Sequence, residues 1–183
     1  MTVLVTYASK HGATRGIAER IAHDLNQAGV PTDIQHVTTT GDIAGYDAFV
    51  IGSATYAFHW MKEAQKFVRD HQKVLAERPV WLFSSGPLGE EKTDAEGNDV
   101  RESSRPREIA ELTESIHPRG DHVFFGALDP EKLSFGERAI RRMPAARKLM
   151  PEGDYRDWDD VDEWAGSIAE EIRAGSKPER HDG

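Results

Sequence analysis

The sequence predicts an α/β fold built on an open, doubly wound parallel sheet. Short apolar runs alternate with stretches whose apolar residues recur every three or four positions, as repeated strand–helix–strand units require. Three strand ends also run directly into loops of small and hydroxyl residues. In such sheets ligands bind beyond the carboxyl ends of the strands, where the strand order switches.

The elements follow in order. Residues 3–7 form the first strand, and Ile17, Ala18, Ile21, Ala22, Leu25 and Ala28 then repeat at helical spacing until Gly29 and Pro31 stop the helix. Residues 33–37 give a weakly marked second strand; residues 48–51 give a third, closed by Gly52. Residues 63–77 read as a helix with Ala64, Phe67, Val68, His71, Val74 and Leu75 on one face, ended by Pro79. Residues 80–84 make the fourth strand. The polar stretch 90–105 has no core pattern and is expected to be a flexible loop. Residues 108–116 form a short helix and residues 122–126 the fifth strand. Pro130, Pro144 and Pro151 interrupt residues 128–155, which are expected to be irregular. Residues 159–174 make the last helix, with Val161, Trp164, Ala165, Ile168 and Ile172 facing inward. The expectation is one domain over residues 1–174 and a disordered polar tail over residues 175–183.

Composition narrows the function classes. The 183 residues suit one sizeable α/β domain, and 23 basic against 32 acidic side chains leave a net charge of −9. That charge repels nucleic-acid phosphates, so no nucleic-acid partner is expected. The absence of cysteine excludes disulfides and thiolate metal sites, and no metal site is expected. No apolar run nears the ~20 residues of a membrane span. Met1 leads into Val3, Leu4 and Val5 with no basic stretch before them. A cytoplasmic location is therefore expected.

Three loops are candidates for a ligand. In the first, Ser9, Lys10, His11, Gly12, Ala13 and Thr14 lead into a helix start, where unpaired amides and a partial positive charge favour an anion. Ser9 and Thr14 could equally be no more than helix caps. Neither G-x-G-x-x-G nor G-x-x-x-x-G-K-[ST] is present, and the carboxylates of a receiver domain are missing after the first and third strands. The second loop, with Ala54, Thr55, Tyr56, Ala57, Phe58, His59 and Trp60, has three aromatic residues that need a partner out of water. That partner could be a flat ligand, or Phe58 and Trp60 could pack beneath the loop. The third loop, Ser85, Gly86, Pro87, Leu88 and Gly89, offers backbone amides after the fourth strand.

The order Tyr7-x-Ser9-x-x-Gly12-x-Thr14-x-x-x-Ala18-x-x-Ile21 resembles the phosphate-binding signature of the flavodoxin family. Thr6 stands where that family has an apolar or aromatic residue. The resemblance implies a flavodoxin-like sandwich with a five-stranded sheet in the order 2-1-3-4-5. It also implies bound FMN, its phosphate on residues 9–14, its ring beside Tyr56, and its carbonyl edge near the amides of residues 85–89. Phe125-Gly126-Ala127-Leu128 and Tyr155-Arg156-Asp157-Trp158 resemble the menaquinone-dependent protoporphyrinogen IX dehydrogenase branch of the family. That branch implies an oxidoreductase of haem biosynthesis with a porphyrinogen donor and a quinone acceptor. The alternative is an electron-transfer protein or quinone reductase docking on a redox partner protein. The flavin carries the chemistry, so no side chain is assigned as acid or base.

Residues 128–150 are locally basic, with Lys132, Arg138, Arg141, Arg142, Arg147 and Lys148 against Asp129, Glu131 and Glu137. Phe135, Ala139, Ile140 and Met143 share one side of this stretch. It could contact an anionic membrane surface, bind porphyrin propionates, or form an ordinary solvated helix. The acidic loop with Glu90, Glu91, Asp94, Glu96 and Asp99 would repel a propionate-bearing substrate.

Overall fold

A computed structural model of the protein describes residues 1–144, 146 and 150–175. The chain begins with β1 (Val3–Ala8), α1 (Ala13–Gln27), β2 (Thr32–His36), β3 (Ala48–Tyr56), β4 (His59–Trp60), α2 (Lys62–Ala76) and β5 (Val80–Ser85). It continues through α3 (Val100–Ser103), α4 (Glu108–Ile116), β6 (Gly120–Phe124), β7 (Ala127–Leu128), a 3-10 turn (Pro130–Lys132), α5 (Phe135–Arg141), β8 (Gly153–Asp154) and α6 (Trp158–Gly175). Arg147, Lys148 and the tail residues 176–183 lie outside the described residues.

The main sheet runs β2-β1-β3-β5-β6, with every one of these neighbours parallel. β4 only folds back on the end of β3, so the five parallel strands keep the expected order. β1 shows why the layers form. Val3 and Val5 point to the face covered by α1 and α6, whereas Leu4 points to the face covered by α2 and α4. Each fully buried aliphatic side chain contributes about 1.5–3 kcal/mol. Thr6, the departure from the family signature, is buried, with its hydroxyl 3.4 Å from that of Thr40.

Three sequence expectations need correction. The third strand does not stop at Gly52; it runs on to Tyr56. A Cβ at Gly52 would lie 2.0 Å from the Phe83 ring, so this glycine makes room for an aromatic on the next strand. The polar loop 90–105 is ordered by side-chain hydrogen bonds in place of an apolar core. Asp94 accepts from the amides of Glu96 and Asn98 and from the Ser103 hydroxyl, and Arg105 pairs with Asp121 at 2.8 and 2.6 Å. Residues 128–155 also contain regular structure. α5 starts in a capping box in which Ser134 and Glu137 bond each other's backbone, and β7 pairs with β8. Among the described residues, no helix is long and apolar enough to cross a membrane.

Candidate functional site

The first loop turns at Gly12, whose φ of 91° is costly for any residue with a Cβ. Ser9 does not cap α1; its hydroxyl accepts the Gly12 amide at 3.1 Å and closes the loop on itself. No side chain caps the helix, and the amides of Ala13, Thr14 and Arg15 donate to no acceptor among the described residues. Thr14 is 1% exposed and its hydroxyl has no partner among the described residues. The result is a ring of unsatisfied donors at the positive end of a 15-residue helix. Arg156, stacked 4.6 Å from the Trp158 ring and paired with Asp154, lies beside the first turn of this helix.

Lys10 and His11 are both held by Glu137. Lys10 Nζ donates to Glu137 Oε1 at 2.6 Å, and His11 Nε2 lies 3.1 Å from the same oxygen. The Ser134 amide and hydroxyl donate to Oε2 at 2.8 and 2.6 Å. Burial opposes the Glu137 charge, but these bonds from Lys10, Ser134 and His11 outweigh it and hold the carboxyl well below its usual range.

The second loop is a two-residue hairpin turn between β3 and β4, with Thr55 opposite Trp60 and Tyr56 opposite His59. Its central residues, Ala57 and Phe58, have φ of 49° and 65°. Such turns favour asparagine and glycine, and each non-glycine residue held there costs about 1–3 kcal/mol. The strained turn leaves Tyr56 44% and Phe58 49% exposed. Burial, then the Glu137 charge, pushes the Tyr56 phenol up to about 12. Trp60 is not part of this display. It is buried in the core, and its Nε1 donates to the Ser84 hydroxyl at 2.8 Å.

In the third loop the Gly86 amide is already used, donating to the Phe124 carbonyl at 3.3 Å, and Pro87 has none. Leu88 and Gly89 keep amides without acceptors among the described residues.

One cavity of about 720 Å³ gathers most of these groups: Ser9, His11, Ala13 and Thr14 from the first loop, residues 54–58 from the second, and residues 85–88 from the third. Besides His59 and Trp60, three residues singled out in the sequence do not line it. Lys10 and Gly12 are absent from its lining although their neighbours are part of it, and Gly89 lines a second cavity of about 650 Å³ with Tyr155 and Trp158. Sequence reasoning missed the roof. Leu128, Leu133, Glu137, Ile140 and Met150 come from the segment expected to be irregular, and Val100 and Ser104 from the loop expected to be flexible. The Ser134-x-x-Glu137 capping box was the local signal for the helix that carries part of that roof.

Comparison with known proteins places a flavodoxin domain over residues 4–151. The chain belongs to the flavodoxin domain family. The chain is 26% identical over 176 residues to the protoporphyrinogen IX dehydrogenase (quinone) of Escherichia coli K12, covering 92% of this chain and 95% of that protein. Among solved structures it resembles a flavodoxin from the domain Archaea, with a TM-score of 0.57 at 16% identity over 94% of this chain and 99% of the other. Flavodoxin 2 of Bacillus cereus gives a TM-score of 0.56 at 21% identity, covering 93% and 99% of the two chains. The two structural likenesses show the fold.

Proposed function

We propose that this flavodoxin domain is an FMN-dependent oxidoreductase that passes electrons from a porphyrinogen to a quinone. One observation carries the reading: a single cavity joins an uncapped helix N-terminus to an aromatic, largely apolar slot. FMN has the matching halves, a phosphate and a flat ring. The residues present fit it. Thr55 lines the cavity with a buried hydroxyl oxygen that has no partner among the described residues, and the Thr14 hydroxyl is likewise unpaired.

When bound, FMN supplies reversible electron transfer to and from its ring. The amides of Ala13, Thr14 and Arg15 and the hydroxyls of Ser9 and Thr14 hold the phosphate. Because Glu137 occupies Lys10 and His11, that charge is met mainly by amides, hydroxyls and the helix dipole. Tyr56 and Phe58 would flank the ring, and the free Leu88 amide would serve its carbonyl edge. Leu133, Ile140 and Met150 exclude water. The porphyrinogen donor and quinone acceptor rest on the similarity to the Escherichia coli dehydrogenase. On α5 and in the two residues after it, Phe135 (84% exposed) and Met143 stand with Arg138 and Arg142 in solvent, which suits an anionic membrane surface where a quinone would be met.

Purified protein titrated with FMN should turn yellow and quench flavin fluorescence. Supplied with protoporphyrinogen and a menaquinone analogue without oxygen, it should then produce fluorescent porphyrin. FMN uptake without porphyrin formation would leave an electron-transfer flavodoxin, and failure to bind FMN would overturn the reading entirely.

A further inference from the structure

We propose that Glu108 is a positioning residue for the aromatic wall of the cavity: from the first turn of α4, its carboxylate holds the hairpin turn of residues 56–60 in a conformation that Ala57 and Phe58 disfavour. The binding readout rests on the flavin reading above; the stability readout does not.

Ala57 and Phe58 both carry a Cβ in the left-handed region, and neither has a short polar side chain to bond locally. The compensation comes from about fifty residues away. Glu108 Oε2 accepts the Trp60 amide at 3.1 Å, while Oε1 accepts from His59 Nδ1 at 2.6 Å and from Gln65 Nε2 at 3.2 Å. The adjacent Arg107 amide donates to the Phe58 carbonyl at 3.1 Å. One carboxylate therefore grips two successive residues of β4, ties them to α2, and sits next to the amide that fixes the turn itself. Burial opposes its charge, but the His59 hydrogen bond and the amide bonds outweigh burial and keep it ionised below its ordinary range. Without this carboxylate the turn relaxes toward conformations ordinary for alanine and phenylalanine. Tyr56 and Phe58, which it presents to the cavity, then move with it.

The test uses the full chain with Glu108→Ala, Glu108→Gln and Ala57→Gly, alone and combined. Glu108→Ala should weaken FMN binding about tenfold and alter the visible circular dichroism of the bound flavin, the loss expected for hydrogen bonds to a charged acceptor. Glu108→Gln keeps one acceptor and should cost about threefold. In the Ala57→Gly background the turn holds its φ without a Cβ, so Glu108→Ala should cost no more than about threefold. A residue that merely supports α4 would cost the same in both backgrounds. Equal losses, or none, overturn the proposal.

If the wild-type chain does not bind FMN, the proposed function fails but the coupling remains readable in urea unfolding. The unfolding constant should then rise more on Glu108→Ala in the Ala57→Gly chain than in wild type, because only the strained wild-type turn recovers part of the lost bond energy by relaxing, and equal rises overturn the proposal. Should Glu108→Ala fail to fold, Glu108→Gln carries the same comparison.

Discussion

Two turns at the cavity reach positive φ by opposite means. The first places a glycine at φ 91°, where a Cβ would meet nothing within 4 Å and only backbone preference matters. The second forces alanine and phenylalanine into the same half of conformational space and relies on a carboxylate from α4 to keep them there. The first turn is locally encoded and ends in free amides; the second is imposed by tertiary contacts and ends in displayed aromatic rings. Rigid recognition of an anion needs only the former. Presenting two large side chains at a fixed angle requires the latter, because glycine has no side chain to present.

The comparison can be broken most severely at the first turn. Thr14→Val combined with Ser9→Ala should raise the FMN dissociation constant about 100-fold through two lost charge-assisted bonds, while the fold loses about 1 kcal/mol. An unchanged constant in a fluorescence titration would refute the phosphate cradle. Gly12→Ala should destabilise the chain by about 1–2 kcal/mol in urea unfolding, since an L-residue pays that much in the left-handed region. Ala57→Gly should move stability the other way or not at all, within about 1 kcal/mol, because relief of strain offsets the added freedom of the unfolded chain. A clear loss at position 57 would mean that the turn is unstrained.

The smallest effect is acid sensitivity. Glu137 and Glu108 both have folded-state values below their ordinary 4.5. Their contribution to stability is therefore fully present above that value and is lost as pH falls beneath it. Glu137→Gln should flatten the decline of the unfolding midpoint below about pH 4.5, where the unfolded carboxyl takes up its proton. An identical slope would show that the bonds to Lys10, His11 and Ser134 are not maintained in solution.

The same contrast explains what could be read from the amino acids in order. α1 and β1 are legible because their partners are close in sequence: the apolar spacing from Ile17 to Leu25 and the run Val3, Leu4, Val5 each suffice. The uncapped start of α1 is legible for the same reason, though the hold of Glu137 on Lys10 and His11 is not. Nothing near them indicates that Glu137, 126 residues or more away, takes both. The end of β3 was missed because Gly52 looks like a terminator until Phe83 is seen lying over it. The loop 90–105 was missed because Asp94 organises it with hydrogen bonds, and polar networks leave no hydrophobic period. The cavity roof combines both difficulties. Three prolines suggest interruption, and the capping box that starts α5 is a local signal outweighed by them.

The pairing of β7 with β8 brings Leu128 opposite Gly153, so residues 129–152 leave the framework and return to it at one point. A segment pinned at both ends in this way is a cassette. Lengthening or shortening it costs only a slowly growing closure entropy, about 0.6 kcal/mol per doubling, as long as the bonds from Glu137 to Lys10 and His11 are kept. Selection could therefore exchange this portion, Glu137 apart, while α1 and the sheet keep their places. Chimaeras that swap 129–152 between relatives offer a direct way to see which reactions one scaffold can serve.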